Sequence, residues 1–160
     1  LFRRVYDGQV RALGPDHPDT LITASDLGAT LVRSGAVDEG VEWQIRALDG
    51  LAAIFPPGSL DVVIPRINVS GTLIGLERFD EALRLARLAV DRGTPTLGAD
   101  HHVIGVAEHQ VGRALLGLDR PGEAAEHLRR AVRTLEAALG AEHAFTRRAA
   151  ESLARADHGG

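Results

Sequence analysis

The chain has no cysteine, no lysine and no methionine, and its only aromatic residues are four Phe, one Tyr and one Trp. Without cysteine there can be no disulfide, no thiolate metal site and no thiol nucleophile. A metal site of oxygen or histidine ligands stays open. No stretch approaches 18 consecutive apolar residues, which excludes a membrane-spanning helix. The formal net charge of -4 argues against non-specific affinity for nucleic acid or anionic lipid. The missing lysine, beside heavy use of Ala, Gly, Leu and Val, is what GC-rich coding produces and points to a bacterial source. Methionine is absent even at position 1, so the chain is expected to be a piece of a longer polypeptide. Missing targeting signals then carry no weight. What remains is 160 residues with 44% hydrophobic and 25% charged side chains, enough for one continuous core, with a cytoplasmic location expected.

Four segments beginning at Leu13, Phe55, Leu97 and Leu139 lie 42 residues apart. Three of them are nearly identical: Leu13-Gly14-Pro15-Asp16-His17, Leu97-Gly98-Ala99-Asp100-His101 and Leu139-Gly140-Ala141-Glu142-His143. The copy Phe55-Pro56-Pro57-Gly58-Ser59 keeps the spacing and loses the letters. A fixed period without insertions means one supersecondary unit copied and stacked.

Aligning the copies exposes two helices per unit. In the first half, apolar residues fall at Ala24, Leu27 and Leu31, then Val69 and Leu73, then Ala107, Val111 and Leu115, the spacing of one helical face. One position past Leu27, Val69, Val111 and Leu153 the residue is small: Gly28, Ser70, Gly112, Ala154. Small side chains there let a neighbouring helix approach closely. The second half opens with Asp38-Glu39, Asp80-Glu81 and Glu123, which stabilise the positive end of a helix dipole. Gly40, Ala82 and Ala124 follow, and Ala47, Ala89 and Ala131 come seven residues later on the same face. Gly14, Gly98 and Gly140 each follow a Leu, as a left-handed C-terminal cap requires.

Each unit is thus helix A, turn, helix B. The pattern predicts helix A over 18–34, 60–76, 102–117 and 143–156, and helix B over 37–54, 79–93 and 121–138, with 1–13 as the B helix of an earlier copy. One domain over 1–160 follows: a half repeat (1–12), full repeats at 13–54, 55–96 and 97–138, and a terminal half repeat (139–160). Pro65 predicts a late start or a kink in the second helix A, because a proline past the first turn removes a backbone hydrogen bond. Gly93-Thr94-Pro95 predicts an early end to its helix B.

The small residues Gly28, Gly40 and Ala47, spaced 12 and 7 apart around Leu27 and Leu31, resemble the tetratricopeptide repeat (TPR) consensus. The 42-residue period, the stretch Leu13 to Thr20 and the Asp80-Glu81-Ala82 helix start resemble the longer kinesin-light-chain type. HEAT and armadillo repeats share the period range but lack this small-residue pattern. The resemblance implies an all-α, right-handed α-solenoid of antiparallel helix pairs. It implies a protein-interaction module in a regulatory or signalling protein, with a protein or peptide as partner, and no catalysis and no cofactor. The alternative is a structural or oligomerisation segment, possible as a homo-oligomer through open end repeats, with the groove unused. The paired Asn common ahead of the helix A Leu survives only at Asn68, and the Lys and Asn set that clamps a chaperone's terminal carboxylate is missing.

In such stacks the helix A residues turned from the core line a concave groove. Helical spacing puts Ile22, Asp26, Ala29 and Arg33 there, then Ile64, Asn68, Gly71 and Gly75, then Val106, Gln110, Arg113 and Gly117, with Ser25 and His109 alongside. An apolar floor with a few polar groups suits an extended peptide or a partner helix. Other chemistries fail on distance. His17, His101 and His143 share one repeat column, and packed helices lie about 8–10 Å apart, too far for one zinc ion. Ser25 and His109 are separated by roughly 20 Å of stacking, too far for nucleophile and base. From Asp119 onward seven Arg face seven acids, so the arginine-rich end is a solvated helix face and no nucleic-acid site. Trp43, in the column of Leu85 and His127, is expected to pack on the next helix.

Overall fold

A computed structural model describes residues 2–158, and among them eight helices account for the regular structure, with no strand. They are α1 (Phe2–Leu13), α2 (Pro18–Arg33), α3 (Val37–Ile54), α4 (Leu60–Gly75), α5 (Phe79–Leu97), α6 (His102–Gly117), α7 (Pro121–Leu139) and α8 (Ala144–His158). Two compact units divide the chain after Pro56. The first holds α1 to α3 and the second α4 to α8, an A/B helix pair recurring at 42 residues in both.

The A and B helices of a pair pack antiparallel because their small residues meet. A Cβ on Gly28 would lie 2.6 Å from the Gly40 carbonyl oxygen, and one on Gly40 would lie 2.6 Å from that of Gly28. The equivalent pair in the next copy is Ser70 and Ala82, where the buried Ser70 hydroxyl donates to the Ala82 carbonyl at 3.0 Å. In the third copy Gly112 leaves room for Leu128. Ala47, Ala89 and Ala131, seven residues on, are fully buried. The core of the second unit gathers Val63, Ile67, Ala89, Val103 and Ala107, with a neighbouring cluster of Ala131, Leu135 and Ala149.

The histidine column caps helices. His17, His101 and His143 each present Nδ1 to the backbone N–H two residues on, of Asp19, Val103 and Phe145, all at 3.2 Å. An N-cap acceptor satisfies one of the donors that a helix start leaves orphaned. Ser59 takes this position in the second copy with the same extended backbone. The turn from A to B is also periodic: Gly35, Glu77 and Asp119 share one column and all have positive φ (93°, 59° and 57°). Arg78 and Arg120, one position later, each grip the glutamate three residues on, Glu81 and Glu123, through two hydrogen bonds of 2.7–2.8 Å.

Three expectations change. Helix α4 begins at Leu60, without the late start, and runs through Pro65. Its buried Val62, Val63, Ile67 and Val69 hold the turn in place, and the carbonyl that Pro65 leaves unpaired belongs to exposed Asp61. Helix α5 does not end at Gly93 but continues through Pro95 to Leu97. Leu97 packs on the core cluster, the Thr94 hydroxyl donates to the Val90 carbonyl at 2.7 Å, and Gly93 lets Ile104 and Val63 close in. Tertiary packing outweighs the local break. Gly98 and Gly140 have positive φ as expected, but with ψ of 149° and 159° they are extended, not left-handed helical. The chain straightens there so that the following histidine reaches its capping position.

Candidate functional site

In the second unit the A helices α4, α6 and α8 touch in sequence, whereas among the described residues α5 and α7 do not meet. This asymmetry makes two different surfaces: a continuous face of A helices, and a furrow between B helices floored by α6.

On the A face, Ile64 and Asn68 are exposed on α4, and Gly71 follows one turn on. A Cβ on Gly71 would lie 3.0 Å from Gln110 Nε2, so the glycine gives Gln110 of α6 its place against α4. Gln110 Oε1 in turn accepts a 3.0 Å hydrogen bond from Arg113 Nη1, fixing that guanidinium. Gly75 and Gly117 are exposed further along, with Phe79 lying against Gly117. Val106 is half-buried and joins the core. The predicted residues of α4 and α6 thus meet where Gln110 lies against Gly71, and Gln110 in turn holds Arg113. In the first unit Ile22, Asp26 and Arg33 are exposed and Ser25 half-buried along α2. Arg33 Nη2 donates to Thr30 Oγ1 at 3.1 Å.

His109 is different from an open groove residue. It is 7% exposed and its Nε2 lies 3.0 Å from Ser152 Oγ on α8. Ser152 Oγ also donates to the Arg148 carbonyl at 3.0 Å, so the imidazole carries its proton on Nε2 and donates to the hydroxyl. Burial, and the nearby positive charges of Arg113 and Arg148, push the His109 pKa down to about 4. The spacing is that of nucleophile and base, but the proton directions are reversed and the ring is a weak base at neutral pH. It is a packing hydrogen bond between helices.

Around it lies a shallow pocket of about 280 Å3 lined by His109, Arg113, Arg148, Glu151 and Ser152. Burial pushes the Arg113 pKa below its usual value, and Arg155 and Arg148 push it further. The groove predicted from the three whole repeats ends before α8 and leaves its residues out. One more period from Val106, His109, Gln110 and Arg113 gives Arg148, Glu151, Ser152 and Arg155.

The furrow between α5 and α7 has a volume of about 850 Å3, with Ile104 and Glu108 at its floor and Val90, Pro95, Arg130 and Ala137 among its walls. Glu108 is buried, accepting from His127 Nδ1 at 2.5 Å, with Arg130 Nε at 3.3 Å. In the first unit the corresponding columns hold Tyr6, Ala24 and Trp43 instead of Val90, Glu108 and His127. There Trp43 stacks edge-on against Tyr6, with ring centroids 4.8 Å apart and an interplanar angle of 84°. Within the first unit Trp43 therefore packs on helix α1, where the large ring at Tyr6 supplies its partner.

Among the described residues no helix is long and apolar enough to cross a membrane, and no group of three or more His, Asp or Glu is placed to hold a metal ion.

Residues 61–137 match the tetratricopeptide repeat family. No curated protein matches the sequence. Among solved structures, the nearly identical TPR-like repeats of a protein described as a kinesin light chain of Podosopora anserina are 22% identical, with a TM-score of 0.80 over 99% of this chain and 75% of that one. A variant of the same protein gives 0.81, 22%, 99% and 74%. A TPR-like protein from Chlorobium tepidum is 22% identical with a TM-score of 0.60, over 86% of this chain and 97% of the other. The fold is an all-α, TPR-like α-solenoid of helix pairs.

Proposed function

We propose that the chain is a protein-interaction module whose A-helix face receives an extended peptide or helix of a partner. TPR repeats are generally protein–protein interaction modules, and the family match covers the second unit's first two helix pairs. The observation that carries the reading is the linked row from Gly71 through Gln110 to Arg113, with exposed Ile64 and Asn68 beside it. Such a row offers an apolar contact and oriented hydrogen-bonding groups on one rigid surface, so little ordering entropy is spent on binding. Capture would serve regulation of the protein that carries the module.

Affinity capture with the full chain tests this. Asn68→Ala and Arg113→Ala should each weaken retention of a specific partner while leaving the helical circular dichroism unchanged. Equal retention by both variants refutes the assignment of the face.

A further inference from the structure

We propose that the α6–α8 end of this face is a phosphate subsite, taking the phosphoserine or phosphothreonine side chain of a bound peptide between Arg113, Arg148 and Arg155. The inference rests on the interaction reading above and names the chemistry of the partner at one end of the face.

Three observations converge. The first is a change of character along one repeat column. Ile22, Ile64 and Val106 occupy it in the earlier copies and Arg148 occupies it in α8. The column of Ala29 and Gly71 likewise becomes Arg113 and then Arg155. Apolar and small residues toward α4 give way to guanidinium groups toward α8. The second is that these charges are not compensated. Among the described residues, no carboxylate lies within 4.0 Å of Arg113, Arg148 or Arg155 in an ion pair, although arginines elsewhere in the second unit are paired, as Arg78 is with Glu81, Arg120 with Glu123 and Arg129 with Asp157. Arg113 is half-buried and held there by Gln110, with the other two close enough to repel it. Clustering like charges and burying one of them costs free energy that a bound anion would recover.

The third observation is the amount of charge. Arg113 and Arg148 line the pocket with one carboxylate, Glu151, and Arg155 lies outside the lining but close enough to act on Arg113; with His109 neutral at physiological pH, the three arginines leave a surplus of two positive charges. A phosphomonoester carries about -1.5 to -2 near pH 7, while an aspartate or glutamate carries one negative charge. The surplus fits the phosphoester. Guanidinium forks bind its oxygens in pairs. The pocket of about 280 Å3 suits a headgroup and not a folded domain.

The test uses the full, isotopically labelled chain and three capped amino acids as probes: phosphoserine, glutamate and unmodified serine, each with blocked termini, with inorganic phosphate as a fourth. NMR follows the Arg113 Nε–Hε resonance and the backbone amides of Arg148 and Ser152. Phosphoserine and inorganic phosphate should give saturable shifts at these positions, and phosphoserine should bind about tenfold more tightly than the glutamate probe. Arg148→Gln, an exposed position that does not threaten folding, should weaken phosphoserine about ten- to a hundredfold, and Arg113→Gln likewise. Glu151→Gln removes a repelling charge and should tighten it. Equal affinity for phosphoserine and glutamate, linear shifts without saturation, or an unchanged response in Arg148→Gln would overturn the proposal. A partner captured equally before and after phosphatase treatment, but lost in Asn68→Ala, would overturn the phosphate subsite and leave the interaction reading standing. Saturable phosphate binding with capture indifferent to both Asn68→Ala and Arg113→Ala would do the reverse.

Discussion

Lowering the pH from neutral toward 4 should destabilise the second unit through His109 by an amount that the structure sets. In the unfolded chain the ring takes its proton at its ordinary value of 6.5, and in the native state only at about 4. Between those values the unfolded state binds more protons, so stability rises with pH there. The contribution is complete above about 6.5, is lost progressively as pH falls, and levels off below about 4. At 1.36 kcal/mol per pKa unit the window is worth about 3 kcal/mol. Urea unfolding of wild type and His109→Gln across pH 4 to 7 isolates it, because glutamine can still donate to Ser152 and does not titrate. Between neutrality and the acid end the wild type should lose about 3 kcal/mol more than His109→Gln, on top of any constant offset that the substitution itself adds. Direct NMR detection of the imidazole nitrogens reads the same pKa and shows whether Nε2 carries the proton. Arg113→Gln should raise that pKa by removing one of the two positive neighbours. A native pKa near 6.5, or parallel stability curves, refutes the account of His109 as a desolvated ring held neutral between helices.

Other expectations follow from the repeat geometry. Gly28→Ala should destabilise by about 1–3 kcal/mol, since its Cβ would meet the Gly40 carbonyl oxygen at 2.6 Å and the Gln44 backbone nitrogen at 3.0 Å as well as the Gln44 side chain, and backbone cannot swing aside. Gly8→Ala, with nothing within 4 Å, should stabilise by up to about 1 kcal/mol, and urea titration compares the two. His101→Ala should cost about 1 kcal/mol through loss of the cap, and His101→Asn should recover most of it; equal stability of the two variants would show that the ring does not cap α6. The triple variant Val90→Tyr, Glu108→Ala, His127→Trp transplants the ring pair of the first unit into the furrow of the second. Its new tryptophan should be shielded from acrylamide quenching, and a freely quenched indole would show that the two furrows differ by more than those three side chains.

Most of the architecture was legible because the evidence for it repeats. Small residues at Gly28 and Gly40, Ser70 and Ala82, and Gly112 and Ala124 announce close crossings whatever surrounds them, and helix boundaries follow within a few residues. The misreadings arose where a local rule competed with packing. Pro65 and Pro95 are helix breakers by propensity, but Ile67 and Leu97 sit in the core beyond them and hold their turns helical. The capping role of His17, His101 and His143 was visible as a column without a mechanism, since histidine is an uncommon N-cap and only the geometry of Nδ1 reveals it. The bond from His109 to Ser152 spans 43 residues, one period plus one, and could have been found by asking which side chains on adjacent A helices face each other.

A repeated column and a broken one carry different information. Where the histidine caps, the small crossings and the turn at Gly35, Glu77 and Asp119 recur, the copies are solving the same folding problem, and a surface built only of such columns would present equivalent sites along its length. A partner could then bind in several registers with similar affinity. Specificity needs columns that change. Along the A face, Asn68 becomes Gln110 and then Ser152, Gly71 becomes Arg113 and then Arg155, and Ile64 becomes Val106 and then Arg148. These substitutions leave the crossings intact, because they fall outside the small-residue columns at which the A and B helices meet. They also give the face a direction, apolar at α4 and cationic at α8. A peptide with an apolar residue at one end and an anion at the other would satisfy both in only one orientation, since reversal would set its charge against Ile64 and its apolar group among unpaired arginines.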